Sequence, residues 1–413
     1  MSRRAALVAL LFLLLAACGQ SQQQASSTLV LGAVYPLTGP QAPGGKEELA
    51  GVQTALQLAR STGALSRPID LRVVDAVTPD AAAAAVTRLV THDHVAAIVG
   101  TYGSTLSAAA SARAEQLKTI YWETGAVADP ITAQRQYVFR TVATGSSLGR
   151  MAVTFTHEVL IPKSGLPAPR VVVVQVDDIY GHSVGGGEVD LAKQLGINVV
   201  DVVTYNPNAF HPLDIAQRIS SDRADFLWDV SYLDDGVAIW QAIIAHHVPL
   251  RAAVGTSSAF CMPAFGQLLR AEAVGVYAAD KPDDTISMAA LSPAGRDLLS
   301  QARTAYAKNS RGATMSIPAV AGFVGAWALF HDVLGKMSGP VNADTIRTAA
   351  LAVDVPVGTA INGGGLRFGP AGSLEQGQNT RSAAVVGQWQ GIGNMQVVYP
   401  PAYATSKPLS MSG

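Results

Sequence analysis

Short apolar strands alternate with amphipathic helices along most of this chain. Segments 29–35 (LVLGAVY) and 170–176 (RVVVVQV) are apolar nearly throughout, as buried strands are, whereas segment 46–60 carries apolar residues at helical spacing. A strand that is apolar on both faces must be covered on both faces, and helices between the strands provide that cover. The pattern therefore predicts an α/β fold built on parallel sheets.

The alternation runs along the chain twice, which predicts two lobes. Strands are predicted at 29–35, 69–75, 95–100 and 119–123, and again at 170–176, 198–204, 226–230 and 250–255. A chain of 413 residues is also longer than a single core usually holds. We expect two doubly wound lobes joined near 141–145. The remainder should return to the first lobe and end in the second at 383–390 and 396–399.

The N-terminal segment is typical of a secretory signal. Two arginines precede an apolar run at 5–15, which is too short to span a bilayer. The run is followed by small residues directly before Cys18, and this ending resembles a bacterial lipobox. The resemblance implies removal of residues 1–17, a lipid on Cys18 and a polar tether at 18–27, with the protein anchored in the periplasm or at the cell surface. The alternative is an ordinary signal peptide that happens to contain a cysteine.

Composition argues against a nucleic-acid partner and against a disulfide framework. The formal net charge is −1, charged residues make up 14% of the chain, and no basic patch stands out. Cys261 is the only cysteine besides Cys18, so a lipid on Cys18 would exclude an intramolecular disulfide. Stability must then come from packing of the apolar residues, which are 49% of the chain.

The loops that follow the strands are the candidate ligand site. In open parallel sheets, ligands bind beyond the carboxyl ends of the strands, so two facing lobes would share one cleft. The loops after the predicted strands lie at 36–45, 101–105, 123–127, 177–180, 229–235 and 256–260.

Four motifs, in order along the chain, resemble one known family. They are PLTGP at 36–40, YVFRTV at 137–142, DDIYG at 177–181 and GVY at 275–277. In turn, they resemble the opening segment, the first hinge crossing, the start of the second lobe and the crossing back in periplasmic binding proteins of the branched-chain amino acid type. The likeness covers most of residues 29–335.

This resemblance implies a fold, a function and partners. The implied fold has two doubly wound lobes with three hinge crossings, a first lobe of 28–142 plus 275–378 and a second of 143–274 plus 379–413. The implied function is that of a solute receptor that works as a monomer with an ABC permease and ATPase complex, with no cofactor, no metal and no catalytic residue. A sensor of the same fold that signals to a membrane partner is the alternative.

The cleft residues of the family match this chain in part. The resemblance places Tyr102, Ser104, Thr105 and Tyr180 at ligand-binding positions. Ser104 also stands where a helix is predicted to begin, so its hydroxyl and the free N–H groups there suit a carboxylate. A plain helix cap at Ser104 and a packing role for Tyr180 are the alternatives.

Three positions depart from the family pattern. Segment 123–130 is ETGAVADP, so Val127 or its neighbour replaces a hydroxyl residue, and Glu123 stands at a strand end. Gly44 takes the place of an aromatic residue. Ser257, a further candidate ligand contact, takes the place of the acidic residue found in amino acid binders.

An acid at position 123 widens the range of expected ligands. Glu123 would repel an anionic ligand, and together with Trp122 it could hold a cation or a hydroxyl-rich group. The alternative is a structural pairing of Glu123 with a basic residue. Gly125 in the same loop and Asp229 in another cleft loop are also candidate contacts. An amide, a polyol, an amine or a larger lipid-like molecule is as credible a ligand as leucine.

One motif suggests an enzyme. GHSVG at 181–185 fits the nucleophile elbow of serine hydrolases, with Ser183 as the nucleophile and Asp214 with His246 or His331 as partners. Against this, the elbow serine should stand directly at a strand end, and the predicted strand ends several residues earlier. An HGGG-type loop is also missing upstream.

The HDH motif at 92–94 suggests a metal site. It lies at the amino end of a predicted strand, away from the cleft, and no zinc-like ligand spacing accompanies it. A solvated turn is the better interpretation.

Overall fold

The computed structural model describes residues 28–310 and 312–410. The predicted leader at 1–17, the tether at 18–27 and its Cys18 therefore lie outside the described residues. Across the described residues, the chain forms two sheets with parallel strands and flanking helices, which confirms the predicted α/β class.

Five strands form the sheet of the first lobe. They are β1 (Leu29–Tyr35), β2 (Ile69–Asp75), β3 (Ala97–Gly100), β4 (Ile120–Glu123) and β5 (Val138–Arg140). All pairs are parallel, in the order β2-β1-β3-β4-β5. The helices between the first four strands are α1 (Ala42–Ser61), α2 (Pro79–Thr91) and α3 (Ser104–Gln116). This order places helices on both faces, so the lobe is doubly wound.

Seven strands form the sheet of the second lobe. They are β6 (Arg170–Val176), β7 (Asn198–Tyr205), β8 (Phe226–Val230), β9 (Ala252–Thr256), β10 (Tyr277–Asp280), β11 (Val385–Gly391) and β12 (Asn394–Tyr399). Their order is β12-β11-β10-β9-β8-β6-β7, and only the pairs that involve β11 are antiparallel. The accompanying helices are α4 (Gly145–Phe155), α5 (Ile161–Ser164), α6 (Ile179–Leu195), α7 (Pro212–Ser221), α8 (Leu233–Ala245) and α9 (Pro263–Leu269).

The lobe boundary predicted between residues 274 and 275 is wrong for β10. This strand pairs with β9, Tyr277 opposite Val254 and Ala279 opposite Thr256, so it belongs to the second sheet. The chain returns to the first lobe only after Asp280. The sequence of a four-residue apolar strand suits either sheet, and only its hydrogen-bonding partner decides between them.

The segment after β10 completes the first lobe. It contains α10 (Pro293–Asn309), α11 (Ile317–Trp327) and α12 (Ala343–Ala352), and a π-helical turn at Ala328–Val333 continues α11. The helical stretch Ile317–Lys336 is long and apolar enough to span a membrane, but 78% of its apolar window is buried inside the protein, as in a core helix. It packs along α1 in the first core.

Arg140 joins two of the three crossings between the lobes. Its Nε donates to Gln378 Oε1 at 2.6 Å, and its Nη1 donates to the carbonyl oxygens of Val127 at 2.8 Å and Ala128 at 2.5 Å. The side chain is fully buried, and burial lowers its pKa to about 10. The segments after β5 and before β11 are thereby held side by side, while the chain after β10 forms the remaining crossing.

Candidate functional site

The two lobes contact each other at the carboxyl ends of their strands. Thr105, at the start of α3, donates its hydroxyl to Asp178 Oδ2 at 3.2 Å, and the Asp129 N–H donates to Ser183 Oγ at 3.1 Å. In each pair the donor belongs to the first lobe and the acceptor to the second. The loops that the sequence predicted to share a cleft therefore meet at these two contacts, and beside them loops of both lobes border a cavity of about 780 Å³.

Tyr102 fills the mouth of this cleft from the first lobe. Its ring lies over Gly44, where an added Cβ would stand 2.2 Å from the ring Cζ. Its hydroxyl lies 3.9 Å from Met262 Sδ of the second lobe. With Tyr232 and Ser258, these residues border a cavity of about 20 Å³, which is room for roughly one water molecule. Tyr102 thus occupies the space that an aromatic residue at position 44 would take.

The hydroxyl of Ser104 holds another cleft loop and does not cap its own helix. The cap residue of α3 is Gly103, so the alternative of a plain cap at Ser104 is wrong. Ser104 Oγ is buried and accepts the N–H of Ala128 at 3.1 Å. This bond ties the start of α3 to the loop that follows β4.

Glu123 is completely buried at the end of β4, and donors surround its carboxylate. Oε1 accepts the N–H groups of Gly125 and Ala126, both at 2.7 Å. Oε2 accepts the N–H of Thr101 at 3.2 Å and the hydroxyl of Ser107. None of these donors is a basic side chain, so the alternative of pairing with a basic residue is wrong. The carboxylate anchors the loops after β3 and β4 to one another.

Trp122 does not join Glu123 in the cleft. Successive residues of a strand point to opposite faces, and Trp122 lies on the core face. Its indole N–H donates to Gly325 O at 2.8 Å, and its ring stacks on Phe139 with 5.7 Å between centroids. The predicted cation site formed by Glu123 and Trp122 together is therefore wrong.

Glu48 is absent from the predicted site residues but lies directly beside Gly125. Its Oε1 accepts the hydroxyl of Thr124 at 2.6 Å, and Thr124 in turn lies 2.6 Å from the hydroxyl of Tyr35. Its Oε2 is buried without a hydrogen-bond partner among the described residues. A Cβ at position 125 would stand 1.9 Å from this oxygen, so the glycine leaves the space that Oε2 occupies.

A sequence signal for Glu48 exists in α1. Gly44, Glu48 and Gly51 recur at helical spacing, which places them on one side of the helix. A lone acid between two glycines on a packed side is unusual, because charged residues are rarely buried without a partner. The pattern can reveal a buried acid, whereas its contact with Gly125 depends on the tertiary structure.

Burial raises the pKa of both first-lobe carboxyl groups. For Glu48, the nearby charge of Glu123 adds to the effect of burial, and its pKa rises to about 8. The pKa of Glu123 rises to about 7 because burial outweighs its hydrogen bonds from Ser107 and the loop N–H groups. The ammonium of Lys281 opposes the rise at Glu48 without cancelling it. A proton is therefore readily retained between these two carboxyl groups near neutral pH.

Tyr180 and Ser257 form part of the opposite wall. Tyr180 is buried, its ring packs against Tyr232 with 5.1 Å between centroids, and its hydroxyl donates to Thr256 O. Ser257 Oγ accepts a hydrogen bond of 3.3 Å from the ammonium of Lys281. Both predicted residues lie in the second-lobe wall, and their contact with a ligand stays a prediction.

Lys281 follows β10 at the second crossing and is also absent from the predicted residues. Its ammonium lies 2.9 Å from Asp280 Oδ1, while Asp280 Oδ2 accepts the thiol of Cys261 at 2.8 Å. Burial acts to lower the pKa of Lys281, but the Asp280 carboxylate outweighs it and the pKa rises. The lysine therefore remains charged, with most of its charge balanced by Asp280.

Asp229 makes its hydrogen bond inside the second lobe. It is fully buried at the end of β8, where the Ser231 hydroxyl donates to it. Burial raises its pKa to about 8. This bond joins two residues of the second lobe, whereas the bond from Thr105 to Asp178 joins the two lobes. A ligand contact for Asp229 stays a prediction.

Ser183 has the hydrogen bonds of a helix residue. It lies within α6, and its hydroxyl donates to Ile179 O at 2.7 Å, as serines inside helices commonly do. Its oxygen also accepts the cross-lobe bond from Asp129. The neighbouring His182 pairs with Asp177 at 2.9 Å. A nucleophile elbow would instead place the serine on a sharp turn against a histidine.

In the described part of the chain, no group of three or more His, Cys, Asp or Glu side chains is suited to hold a metal ion. His92 of the HDH motif lies on the surface and contacts its neighbour Asp93 at 3.1 Å. The motif lies in the turn between α2 and β3, away from the cleft.

The wild-type protein is expected to lose stability as pH rises, and Glu48→Gln is expected to make that loss smaller. A carboxyl group whose pKa is raised by folding stabilises the fold below its unfolded pKa, about 4.5, and that contribution is lost as pH rises through about 8. One pKa unit corresponds to about 1.4 kcal/mol, so the effect should be measurable. Melting temperatures measured from about pH 5 to about pH 9 should fall more steeply for the wild type. Parallel profiles would contradict the assignment.

The chain is similar to known proteins along nearly its whole length. The family model described as periplasmic binding protein matches residues 28–392. Leu/Ile/Val-binding protein homolog 8 of Brucella melitensis biotype 1 is 30% identical over 382 residues, which cover 91% of each protein. Homolog 7 of Brucella suis biovar 1 is 28% identical over 388 residues, which cover 93% of this chain and 94% of the relative.

Solved structures share the fold. A leucine binding protein from Thermotoga maritima has a TM-score of 0.75 at 17% identity, covering 90% of this chain and 97% of that one. A branched-chain amino acid transporter substrate binding protein from Streptococcus pneumoniae, in complex with isoleucine, has a TM-score of 0.73 at 20% identity, covering 91% and 100%. A solute binding protein from R. palustris, in complex with benzoate, has a TM-score of 0.73 at 17% identity, covering 93% and 99%. These matches confirm the two-lobed architecture.

Proposed function

Because the chain belongs to the periplasmic binding protein family, of the branched-chain amino acid ABC transporter type, we propose that it is the ligand receptor of an ABC importer. It captures a small organic molecule between its two lobes by hinge closure. The closed form is then what a permease and ATPase complex recognises. No bond is made or broken in this cycle, so the protein needs no catalytic residue.

Contacts between the two lobes support this proposal most directly. Hydrogen bonds from Thr105 to Asp178 and from Asp129 to Ser183 join two lobes that the chain itself links only at its crossings. A ligand that contacts both lobes stabilises the closed arrangement relative to the open one, so binding shifts a hinge equilibrium. The crossing segments held by Arg140 supply the hinge.

The ligand is a small organic molecule, which we propose to be an amino acid, an amide or another polar or lipid-like compound. The relatives are named as Leu/Ile/Val-binding protein homologues, and two structural neighbours hold isoleucine and benzoate. The departures at Glu123 and Ser257 are the reason for extending the range beyond amino acids.

The family works outside the cytoplasm, and we propose a lipid anchor for this member. The support lies in the sequence, where a short apolar run and small residues precede Cys18. Residues 18–27 would then serve as a flexible tether between the lipid and the two lobes.

The purified protein should melt at a higher temperature when its ligand is present. We expect one class to do this in a panel of amino acids, amides, amines, polyols, aromatic acids and sterol-like lipids. A ligand at about 100 times its Kd stabilises the folded state by about 2.7 kcal/mol. Tyr180→Ala, which removes a ring from the cleft wall, should abolish the shift. The matched control is Tyr399→Ala, because Tyr399 lies on β12 away from the cleft and donates its hydroxyl to Glu158.

Two outcomes would count against a receptor. Failure of every ligand class to raise the melting temperature would overturn the proposal. Ester hydrolysis by the purified protein that disappears in Ser183→Ala would instead favour the hydrolase.

A further inference from the structure

We propose that the cleft selects a ligand that carries an amine or another cationic nitrogen and lacks a free carboxylate, with Oε2 of Glu48 as the acceptor for that nitrogen. This inference rests on the proposed receptor function and names the chemical class of its ligand. It assigns a ligand contact to a residue that neither the sequence motifs nor the family pattern indicated.

The first argument concerns the donors at the carboxyl ends of β3 and β4. The N–H groups of Thr101, Gly125 and Ala126 all donate to the carboxylate of Glu123. The hydroxyl of Ser104 already accepts the N–H of Ala128. The protein thus places its own carboxylate where these donors converge. A ligand carboxylate at this edge would be repelled by the buried acid Glu123. It would also find none of these backbone N–H groups free to donate to it, so its burial would be unfavourable.

The second argument concerns the oxygen that has no partner. Oε2 of Glu48 is fully buried, and no described residue donates to it. A buried polar atom without a hydrogen bond costs about 1–3 kcal/mol, which a donor from a ligand would recover. Oε2 occupies the space that a side chain at position 125 would take. Because residue 125 is a glycine, its loop covers the oxygen with no side chain at this position.

The third argument concerns the charges that surround Glu48. The polar and titratable groups near it are the Tyr35 hydroxyl from β1, the hydroxyl of Tyr102 from the loop after β3, Tyr121 and Glu123 from β4 with Thr124 directly after it, and Lys281 from the crossing after β10. From α11 it meets Gly322, which offers neither a charge nor a donor side chain.

These charges do not balance. Among the described residues that face Glu48, Lys281 is the one cation, and Asp280 already pairs with it at 2.9 Å. Glu48 and Glu123 are therefore left with a net negative potential in a region of low dielectric. Such a potential favours a cation over an anion.

The mouth of the cleft agrees with an organic cation. Tyr102, Tyr232 and Met262 border the small cavity between the lobes, together with Pro40 and Pro43. Aromatic faces attract cations, and the proline and methionine side chains suit an apolar body. This cavity measures about 20 Å³, so a ligand held there needs the lobes to open or Tyr102 to move. The neighbouring cavity between the lobes, bordered by Thr105, Asp178 and Tyr232, measures about 780 Å³.

Matched ligands test the class directly. Melting of the purified full-length protein is followed with leucine, leucinamide, isoamylamine and isocaproate, and with benzylamine and benzoate. Isoamylamine is leucine without its carboxylate, and isocaproate is leucine without its amine. We expect the amines and the amide to stabilise the protein at concentrations at least tenfold below those of any carboxylate in the set.

Variants test the assigned residue. Glu48→Gln should lose the stabilisation by amines. Glu47→Gln is the matched control, since Glu47 is the adjacent acid of α1 and accepts the Ser316 hydroxyl at 2.6 Å instead of facing the cleft. Stabilisation by amines that persists in a folded Glu48→Gln protein would overturn the assignment.

The wild type offers a second test that does not depend on any variant. A ligand N–H group competes with a proton for Glu48, so amine affinity should rise by up to tenfold per pH unit below about pH 8 and level off above it. Amine affinity that is flat or falls with pH in this range would contradict the proposal.

The outcomes separate this inference from the receptor function. Stabilisation by isocaproate or benzoate but not by the amines would overturn the inference and leave the receptor function standing. Failure of this set and of the wider panel together would overturn both.

Discussion

Gly51→Ala is expected to destabilise the protein strongly, by about 3 kcal/mol, at the upper end of the usual cost of overpacking. A Cβ at Gly51 would stand 1.9 Å from Ala319 O and 2.8 Å from Phe323 N. Both contacts are to the backbone of α11, which cannot be relieved by a change of rotamer. The two helices would have to separate along their whole contact, which forms much of the first core. Chemical denaturation of the wild type and the variant measures the difference.

Gly186→Ala provides the matched control for this prediction. Gly186 lies inside α6 and is exposed, and an added Cβ would meet no heavy atom within 4 Å. Alanine is favoured over glycine in helix interiors by about 0.5–1 kcal/mol, so this variant should be slightly more stable than the wild type. Equal stability of Gly51→Ala and the wild type would show that α1 and α11 are not in the close contact described.

Arg140→Met should destabilise the protein by at least about 3 kcal/mol, because a buried acceptor left without its donor costs about 1–3 kcal/mol and three acceptors lose theirs. Methionine keeps much of the side-chain volume but no donors. It would leave Gln378 Oε1 and the carbonyl oxygens of Val127 and Ala128 buried without the bonds they now accept. The midpoint of urea denaturation should fall accordingly, and ligand affinity should fall with it because two crossings are no longer held together.

Arg347→Met is the control for this effect. Arg347 is half-buried and donates one solvent-exposed hydrogen bond of 3.1 Å to Gln136 O. Surface substitutions of this kind change stability by about 0.5 kcal/mol or less. If both arginine variants unfold at the same denaturant concentration, the role given to Arg140 at the crossings is wrong.

The fold class could be predicted because its signals are local. β1 and β6 each consist of seven residues over the ranges predicted from their apolar runs. Strand and helix periodicity depends on neighbouring residues and on which faces are buried, so it is present in any short window. The start of β3 shows the limit of such signals, because the strand begins at Ala97 and not at the predicted residue 95.

Pairings between distant segments could not be predicted in the same way. The sequence of β10 is compatible with both sheets, and its bonds to β9 place it in the second. Lys281 was missed for the same reason, because a crossing placed at 274–275 hides the residue that follows β10.

The site shows most clearly what the sequence decides and what the tertiary structure decides. The sequence alone determined the two-lobed α/β fold, the family and the loops that meet in the cleft, because these follow from periodicity and motifs. Only the tertiary structure decided that Glu123 binds backbone N–H groups, that Trp122 faces the core and that Glu48 keeps an unpartnered oxygen beside Gly125. Whether a buried carboxylate is an anchor or a free acceptor depends on which donors reach it, and those donors come from segments far apart in the chain.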